Sequence, residues 1–78
     1  MEFEIEFFKD EKGSSPVERF LLGLVTTNKE LFNKASKGIN KLRNRIYHKE
    51  PLSKHIESGL WELRIKSGND ILRIFYTF

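Results

Sequence analysis

LWELRIKSGNDILRIFYTF, residues 60–78, is the segment with the clearest structural pattern in the chain. Residues 60–66 and 71–78 are rich in apolar, branched and aromatic side chains, and the SGND segment between them is typical of a turn. The stretch therefore predicts a β-hairpin. A two-residue Gly68-Asn69 loop and a four-residue SGND loop give the same strand register, so either turn leads to the same pairing.

That register gives the hairpin two different faces. One face is apolar and is predicted to lie in the core; its residues are Trp61, Leu63, Ile65, Leu72, Ile74 and Tyr76. On the other face Arg64 lies directly opposite Arg73, with Glu62 and Lys66 beside them. Like charges that face each other destabilise a strand pair, so this arrangement indicates that an anion belongs between the two guanidinium groups.

The arginine pair has two interpretations. A guanidinium group offers a planar fork of donors that fits phosphate oxygens, and it stays protonated at any pH of interest. The pair therefore predicts a phosphate site. The alternative is that Glu62 and a second acidic residue neutralise the two charges, or that water screens them on an open face.

Upstream of the hairpin, the sequence predicts one strand and two helices. Phe3, Ile5 and Phe7 alternate with glutamates, which predicts a strand with one buried face. The SPVE segment at residues 15–18 combines an N-cap, a proline at the first helical position and a capping-box glutamate. It predicts a first helix that ends near Val25.

A second, longer helix is predicted to follow. The TNKE segment at residues 27–30 repeats the capping-box pattern, and an apolar stripe with helical spacing continues to Ile46. Gly38 inside this helix costs about 1 kcal/mol relative to alanine, which does not overturn a stripe of that length. Pro51 marks a turn. The sequence therefore predicts an α+β fold in which a helical hairpin packs on a small, mainly antiparallel β-sheet.

Length and composition exclude several classes of protein. With 78 residues the chain is predicted to form a single small domain of marginal stability. It has no cysteine, which excludes disulfide scaffolds and thiolate metal sites, and its two histidines, His48 and His55, lack a metal-ligand spacing. No apolar run approaches the roughly 20 residues that cross a bilayer, and the acidic N-terminus does not resemble a signal peptide. The chain is therefore predicted to be soluble and cytoplasmic.

Charge is distributed unevenly along the chain. Residues 29–54 contain eight basic and two acidic residues, whereas residues 1–18 contain six acidic and two basic ones. Such polarity attracts a polyanion to one part of the surface, which predicts nucleic acid as a partner. The alternative is that the lysine-rich stretch is the solvated face of a helix.

The order and spacing of these segments resemble a known family. The matching segments are a strand ending in FFK (7–9), the SPV helix start (15–17), the basic second helix, PLSKHI (51–56), GLWELRI (59–65) and RIFY (73–76). Together they resemble the RelE/ParE toxin superfamily, most closely its HigB-like, phage-derived branch. The resemblance implies a single domain over residues 1–78 that lacks the C-terminal strand, lysine-rich segment and helix usual in that branch.

The resemblance implies the toxin of a type II toxin-antitoxin pair, which cleaves messenger RNA in the ribosomal A site without a metal or other cofactor. In that family basic side chains bind the scissile phosphate while the ribose 2′-hydroxyl attacks it, and arginine offsets the developing charge. Arg64 and Arg73 match the family's strand arginines, and Lys54 matches loosely the basic residues before the hairpin. These three are the candidate catalytic residues.

The implied partners are a cognate antitoxin of helix-turn-helix type, the ribosome and messenger RNA, with no membrane. Basic residues of the second helix, the segment after it and the hairpin are expected to steer the protein toward RNA. The candidate RNA-binding residues are Lys34, Lys37, Lys41, Arg43, Arg45, Lys49 and Lys66.

Two other functions stay open. The C-terminal region missing from the pattern supplies further catalytic residues in that branch, so the chain also fits a binding module without catalysis. Such a module is an antitoxin-binding remnant or a phage-encoded inhibitor. The third possibility is the ParE-like branch, whose target is DNA gyrase. His55 is expected to position backbone or to act as an acid or base, and Trp61 to lie in the core or to stack on a base.

Overall fold

The computed structural model describes residues 3–77, which form two helices and one antiparallel sheet. The helices are α1 (Pro16–Thr27) and α2 (Lys29–Lys41), and a 3₁₀ turn follows at Arg45–Tyr47. The strands are β1 (Ser53–Glu57), β2 (Leu60–Ser67) and β3 (Asp70–Tyr76), in the sheet order β1-β2-β3. The helices pack on this sheet, which confirms the predicted α+β fold. No helix in the described range is long and apolar enough to cross a bilayer.

The start of α1 follows from its capping residues. The Ser15 hydroxyl accepts a hydrogen bond from the Glu18 N–H at 3.2 Å, and Pro16 occupies the first helical position. Both features are as predicted. The helix runs two residues past Val25 and ends at Thr27, whose hydroxyl donates to a backbone carbonyl one turn earlier.

Asn28 alone separates the two helices. Its side-chain oxygen accepts the Leu31 N–H at 3.1 Å, so the cap of α2 lies one residue later than the predicted Thr27. Its side-chain amide donates to the Asp70 carboxylate at 3.1 Å, at the start of β3. One residue therefore caps a helix and ties the helical layer to the hairpin turn.

The second helix is shorter than its apolar stripe predicts. After Lys41 the N–H groups of Arg43 and Asn44 donate to carbonyls three residues back, and the chain tightens out of the α-helix. The Asn44 side chain accepts the Ile46 N–H at 3.1 Å and starts the 3₁₀ turn. Ile46 therefore leaves the stripe and is exposed. The apolar spacing predicted a helix that is too long, because the Asn44 side chain binds a backbone N–H group that a longer helix would use.

The predicted N-terminal strand is wrong for the residues that the structure describes. Residues 3–10 belong to no strand, although the apolar and acidic side chains of residues 3–7 alternate between half-buried and exposed as predicted. The Phe3 N–H donates to the Arg43 carbonyl, and a cleft of about 350 Å³ lies between this segment and β3. A period of two shows which side chains face inward, but it does not supply a pairing partner. Glu2, also part of the pattern, lies outside the described residues.

The C-terminal hairpin has the predicted register. β2 and β3 meet through the two-residue Gly68-Asn69 loop, and Gly68 has a φ of +59°, which glycine adopts without steric cost. β1 pairs with the other edge of β2 and is not predicted, because four of its five residues are exposed and show no alternation. Phe78, included in the predicted second strand, lies outside the described residues.

The core lies between the helices and one face of the sheet. Its buried apolar residues are Leu21, Leu24, Leu31, Ala35, Leu42, Leu63 and Ile65. The other predicted core residues of the hairpin, which are Trp61, Leu72, Ile74 and Tyr76, are half-buried. α2 approaches β2 at Gly38, where an added Cβ would clash with the Cδ1 atom of Ile65. Glycine therefore permits the close approach of helix and strand, which explains a residue that lowers helix propensity.

Candidate functional site

The sheet has a covered face and an open face, and the candidate catalytic residues lie on the open one. Successive residues of β2 alternate between the two faces. Leu63 and Ile65 pack in the core on the side of the helices, so Glu62, Arg64 and Lys66 point to the other side. We call this second side the open face.

Three cross-strand rows build the open face. The rows are Lys54, Glu62 and Phe75; then Arg64 and Arg73; then Lys66 and Ile71. Directly opposite residues on one face of an antiparallel pair have Cβ atoms about 5 Å apart. The pairing therefore brings the predicted catalytic residues Lys54, Arg64 and Arg73 into two adjacent rows.

The two arginines meet at a single carboxylate. The Arg64 Nε donates to the Glu62 Oε1 at 2.5 Å, and the Arg73 Nε lies 3.9 Å from the same oxygen. Glu62 is only 6% exposed, whereas the side chains of Arg64 and Arg73 are 36% and 57% exposed. A carboxylate as buried as this one requires compensating positive charge, and the two guanidinium groups supply it.

A second carboxylate reaches the same cluster. The Glu50 Oε1 lies 3.9 Å from the Arg64 Nη1, and the Glu50 side chain is 70% exposed. This contact is weak, because it is long and solvated. Glu62 and Glu50 formally offset the two guanidinium charges, and Lys54 and Lys66 keep the open face basic. The predicted facing of Arg64 and Arg73 is confirmed, while their role as phosphate ligands stays a prediction.

The predicted RNA-binding lysines of α2 lie apart from the arginine pair. Lys34, Lys37 and Lys41 belong to a helix that packs on the covered face of β2, so the sheet separates them from the open face. Lys34 pairs with Glu30 at 3.3 Å along the helix, and the Lys41 ammonium lies 5.5 Å from the centre of the Tyr47 ring. These lysines are exposed and form a surface of their own.

The remaining predicted RNA-binding residues follow α2 or lie on β2. Arg43, Arg45 and Lys49 are exposed on the segment between α2 and β1, and the Arg43 Nε donates to Asn40 at 3.1 Å. Lys66 lies on the open face, one row from the arginine pair. The structure therefore places Lys66 on the open face and the lysines of α2 on the helical side, with Arg43, Arg45 and Lys49 on the segment that connects α2 to β1.

A histidine and a tyrosine form a polar contact at one end of the covered face. The His48 Nε2 lies 2.7 Å from the Leu42 carbonyl oxygen, which can only accept. In the neutral imidazole Nε2 therefore carries the proton, and Nδ1 accepts from the Tyr76 hydroxyl at 3.0 Å. Burial raises the pKa of Tyr76 above its ordinary value, and the Ser53 side chain offsets part of that rise.

Aromatic rings extend this contact across the three strands. The Trp61 ring stacks beside Tyr76 with centroids 6.4 Å apart, and the His55 ring lies 4.8 Å from Trp61. The row lies on the covered side of the sheet, because Trp61 and Tyr76 alternate with the residues of the open face. The predicted core placement of both residues is thus consistent with the register, and neither faces the arginine pair.

Two contacts of these clusters have no signal in the sequence. Glu50 contacts Arg64 and His48 contacts Tyr76 from the segment between α2 and β1, whose position relative to the sheet no sequence pattern specifies. The position of Glu62 could be predicted, because residues two apart on a strand point to the same face and Glu62 lies two residues before Arg64. Within residues 3–77 no three His, Cys, Asp or Glu side chains come together as a potential metal site.

A comparison with protein families matches most of the chain. The family model described as phage-derived protein Gp49-like (DUF891) matches residues 20–78, which include α2, all three strands and both arginines of the open face. No curated protein sequence and no solved structure matches the chain. The chain therefore belongs to the Gp49-like family of phage-derived proteins, which is a toxin-like family.

Proposed function

We propose that this chain is the toxin of a type II toxin-antitoxin pair and that it acts as a ribosome-dependent messenger RNA endoribonuclease of the RelE/HigB kind. Membership of a toxin-like, phage-derived family supports the toxin role. The observation that carries the catalytic part is the convergence of Arg64 and Arg73 on one oxygen atom of the open face.

The proposed reaction needs positive charge at one phosphate. The ribose 2′-hydroxyl loses its proton and attacks the adjacent phosphorus, and the bond to the 5′-oxygen of the next nucleotide breaks as that oxygen gains a proton. Negative charge on the non-bridging oxygens rises in the transition state, and preorganised guanidinium donors stabilise it. Arg64 and Arg73 bind these oxygens, and Lys54 in the adjacent row contributes a third positive charge.

A second basic surface, which has a separate role in this proposal, consists of Lys34, Lys37 and Lys41 of α2 with Arg43, Arg45 and Lys49 of the segment after it. The exposed cations of α2 and of the segment after it contact the ribosomal RNA backbone and hold the open face toward the messenger RNA. Such phosphate contacts position a protein without reading sequence, and they weaken as salt rises. The proposed partners are accordingly a cognate antitoxin of helix-turn-helix type, the ribosome and its messenger RNA, and the proposed location is the cytoplasm.

A second candidate function is a RelE-like binding module without catalysis, either an antitoxin-binding remnant or a phage inhibitor. Glu62 and Glu50 favour it, because they already offset the charges of the two arginines. In this alternative the open face is an ion-pair network that stabilises the hairpin and takes no phosphate.

Induction of the 78-residue chain in bacterial cells tests the proposal. We expect growth arrest with transcripts cut at the ribosomal A site, and loss of both in Arg73→Ala. Arg19→Ala is the matched control, because Arg19 is an exposed arginine on α1, outside both basic surfaces. Normal growth of cells that express the wild-type chain contradicts the endoribonuclease. Arrest without cut transcripts favours the binding module, and continued translation with blocked supercoiling indicates a ParE-like action on gyrase.

A further inference from the structure

Glu62 is buried on the open face of the sheet, which no helix of residues 3–77 covers. Its neighbours across the strands are Lys54 and Phe75, and its carboxylate meets Arg64 and Arg73. Two guanidinium groups in directly opposite positions repel each other, so their convergence needs an anion between them. In the protein without a ligand, the Glu62 carboxylate is that anion.

The atoms in contact show how Glu62 leaves the arginines able to bind something else. Both guanidinium groups approach the Glu62 Oε1 through Nε, the nitrogen nearest the backbone. The Nη1 and Nη2 atoms lie farther along each side chain, at the end of the guanidinium group. Arg73 is 57% exposed, and the second partner of Arg64 is the weak, solvated contact with Glu50. The hydrogen bond to Glu62 fixes the plane of the Arg64 guanidinium group and presents its outer donors, and the attraction of the same oxygen keeps the Arg73 guanidinium group beside it.

We propose that Glu62 is a positioning residue that aims Arg64 and Arg73 at one shared oxyanion. This inference rests on the proposed function, since the oxyanion that it names is a phosphodiester group of RNA. The Glu62 carboxylate accepts a hydrogen bond from the Arg64 Nε and attracts the Arg73 Nε across 3.9 Å. The Nη atoms of both arginines bind the non-bridging oxygens of the phosphate. Because the guanidinium groups are ordered before the ligand arrives, binding does not require them to be brought together.

The opposite view of Glu62 makes a different prediction. If the carboxylate merely competes with phosphate for the arginines, removing its negative charge strengthens anion binding. If it positions them, removing the acceptor weakens anion binding even though the site becomes more positive. Two variants separate these effects, because Glu62→Gln and Glu62→Leu remove the same charge and only Glu62→Gln keeps a side-chain oxygen that accepts from Arg64.

The experiment is a titration of the folded chain with inorganic phosphate, in which NMR monitors the signals of the arginine Nε–H groups. In the wild type we expect the Arg64 and Arg73 signals to shift together with one Kd. Glu62→Gln is expected to stay within about threefold of that Kd, and Glu62→Leu to bind about tenfold more weakly, the size of one hydrogen bond to a charged group. Equal or tighter binding by Glu62→Leu than by Glu62→Gln overturns the proposal, as do two arginines that titrate independently.

Arg64→Lys tests the same idea with Glu62 intact. Lysine keeps the positive charge, but it has no fork with separate inner and outer donors, so we expect about tenfold weaker phosphate binding. Wild-type affinity in this variant overturns the proposal, whether or not Glu62→Leu folds.

If the titrations behave as expected but induced cells show no cut transcripts, the endoribonuclease fails and the positioning role stands. If cleavage needs Arg73 but is unchanged in Glu62→Leu, only the positioning role fails.

Discussion

The two faces of β2 place neighbouring residues in different environments on one backbone. On the covered face Leu63 is fully buried, and it packs among apolar side chains close to Gly38. On the open face Glu62 is almost as buried, but its partners are Arg64 and Arg73. Apolar burial is non-directional and scales with area, whereas ion pairs fix the direction of each group. The covered face therefore supplies stability, and the open face orients charged groups.

The largest contrast is expected between Leu63→Ala and Arg73→Ala. Leu63→Ala removes buried apolar atoms and leaves a cavity, so we expect the free energy of unfolding to fall by about 2–5 kcal/mol. Arg73 is 57% exposed and its ion pair is long, so Arg73→Ala is expected to cost less than about 1 kcal/mol. Urea denaturation followed by circular dichroism measures both values.

Leu63→Met is the control for this comparison. It nearly conserves the side-chain volume, and we expect it to cost less than about 1.5 kcal/mol. If Leu63→Ala and Arg73→Ala lower the free energy of unfolding equally, the two faces do not divide stability and orientation between them.

Gly38→Ala tests the close approach of α2 to the covered face. Alanine gains about 1 kcal/mol of helix propensity, but its Cβ clashes with the Ile65 Cδ1 atom, and overpacking costs about 1–3 kcal/mol. We expect a net loss of up to about 2 kcal/mol. Ile65→Val removes the clashing atom, so Gly38→Ala in that background is expected to be neutral or stabilising. A double-mutant cycle in urea measures the coupling, and strictly additive effects contradict the clash.

The sequence predicted the hairpin well because its determinants are local. Two runs with a period of two and a turn that contains glycine specify a register, and the register alone places Arg64 opposite Arg73 and beside Glu62. The N-terminal segment has the same period of two but lacks a neighbour that completes a ladder. Its pattern therefore predicted inward and outward side chains correctly and predicted the strand incorrectly.

The candidate site was predicted in its composition but not in its geometry. The strand register shows that Glu62 shares a face with two arginines. The side-chain conformations, which the register does not specify, bring the Nε atoms of Arg64 and Arg73 to the same Glu62 oxygen. Charge counting treated residues 29–54 as one basic region, and the fold divides them. The lysines of α2 lie with the helices, whereas Lys54 lies on the open face, because α2 and β1 belong to different layers.

Asn28→Ala is expected to have an intermediate effect, because Asn28 joins the two layers. It removes both the cap of α2 and the hydrogen bond to Asp70, so we expect a loss of about 1 kcal/mol in the free energy of unfolding. Asn28→Ser keeps a good capping oxygen and loses the exposed contact with Asp70. Because serine caps helices about as well as asparagine, we expect this variant to lower the free energy of unfolding by only about a few tenths of a kcal/mol. If the two variants are equally destabilised in urea, the contact with Asp70 matters more than the cap.

Tyr76 gives the smallest effect and tests whether burial on the covered side outweighs its polar neighbours. Burial raises the pKa of Tyr76, and an ionised phenol cannot donate to His48. In Tyr47→Phe, where Tyr76 is the sole tyrosine, absorbance at 295 nm should give a midpoint above the ordinary value of about 10. Because the raised pKa belongs to the folded state, its contribution to stability is complete below about pH 10 and is lost as pH rises through the folded pKa. The midpoint should return to about 10 in denaturant, and a folded midpoint at or below that value means that burial does not control the phenol.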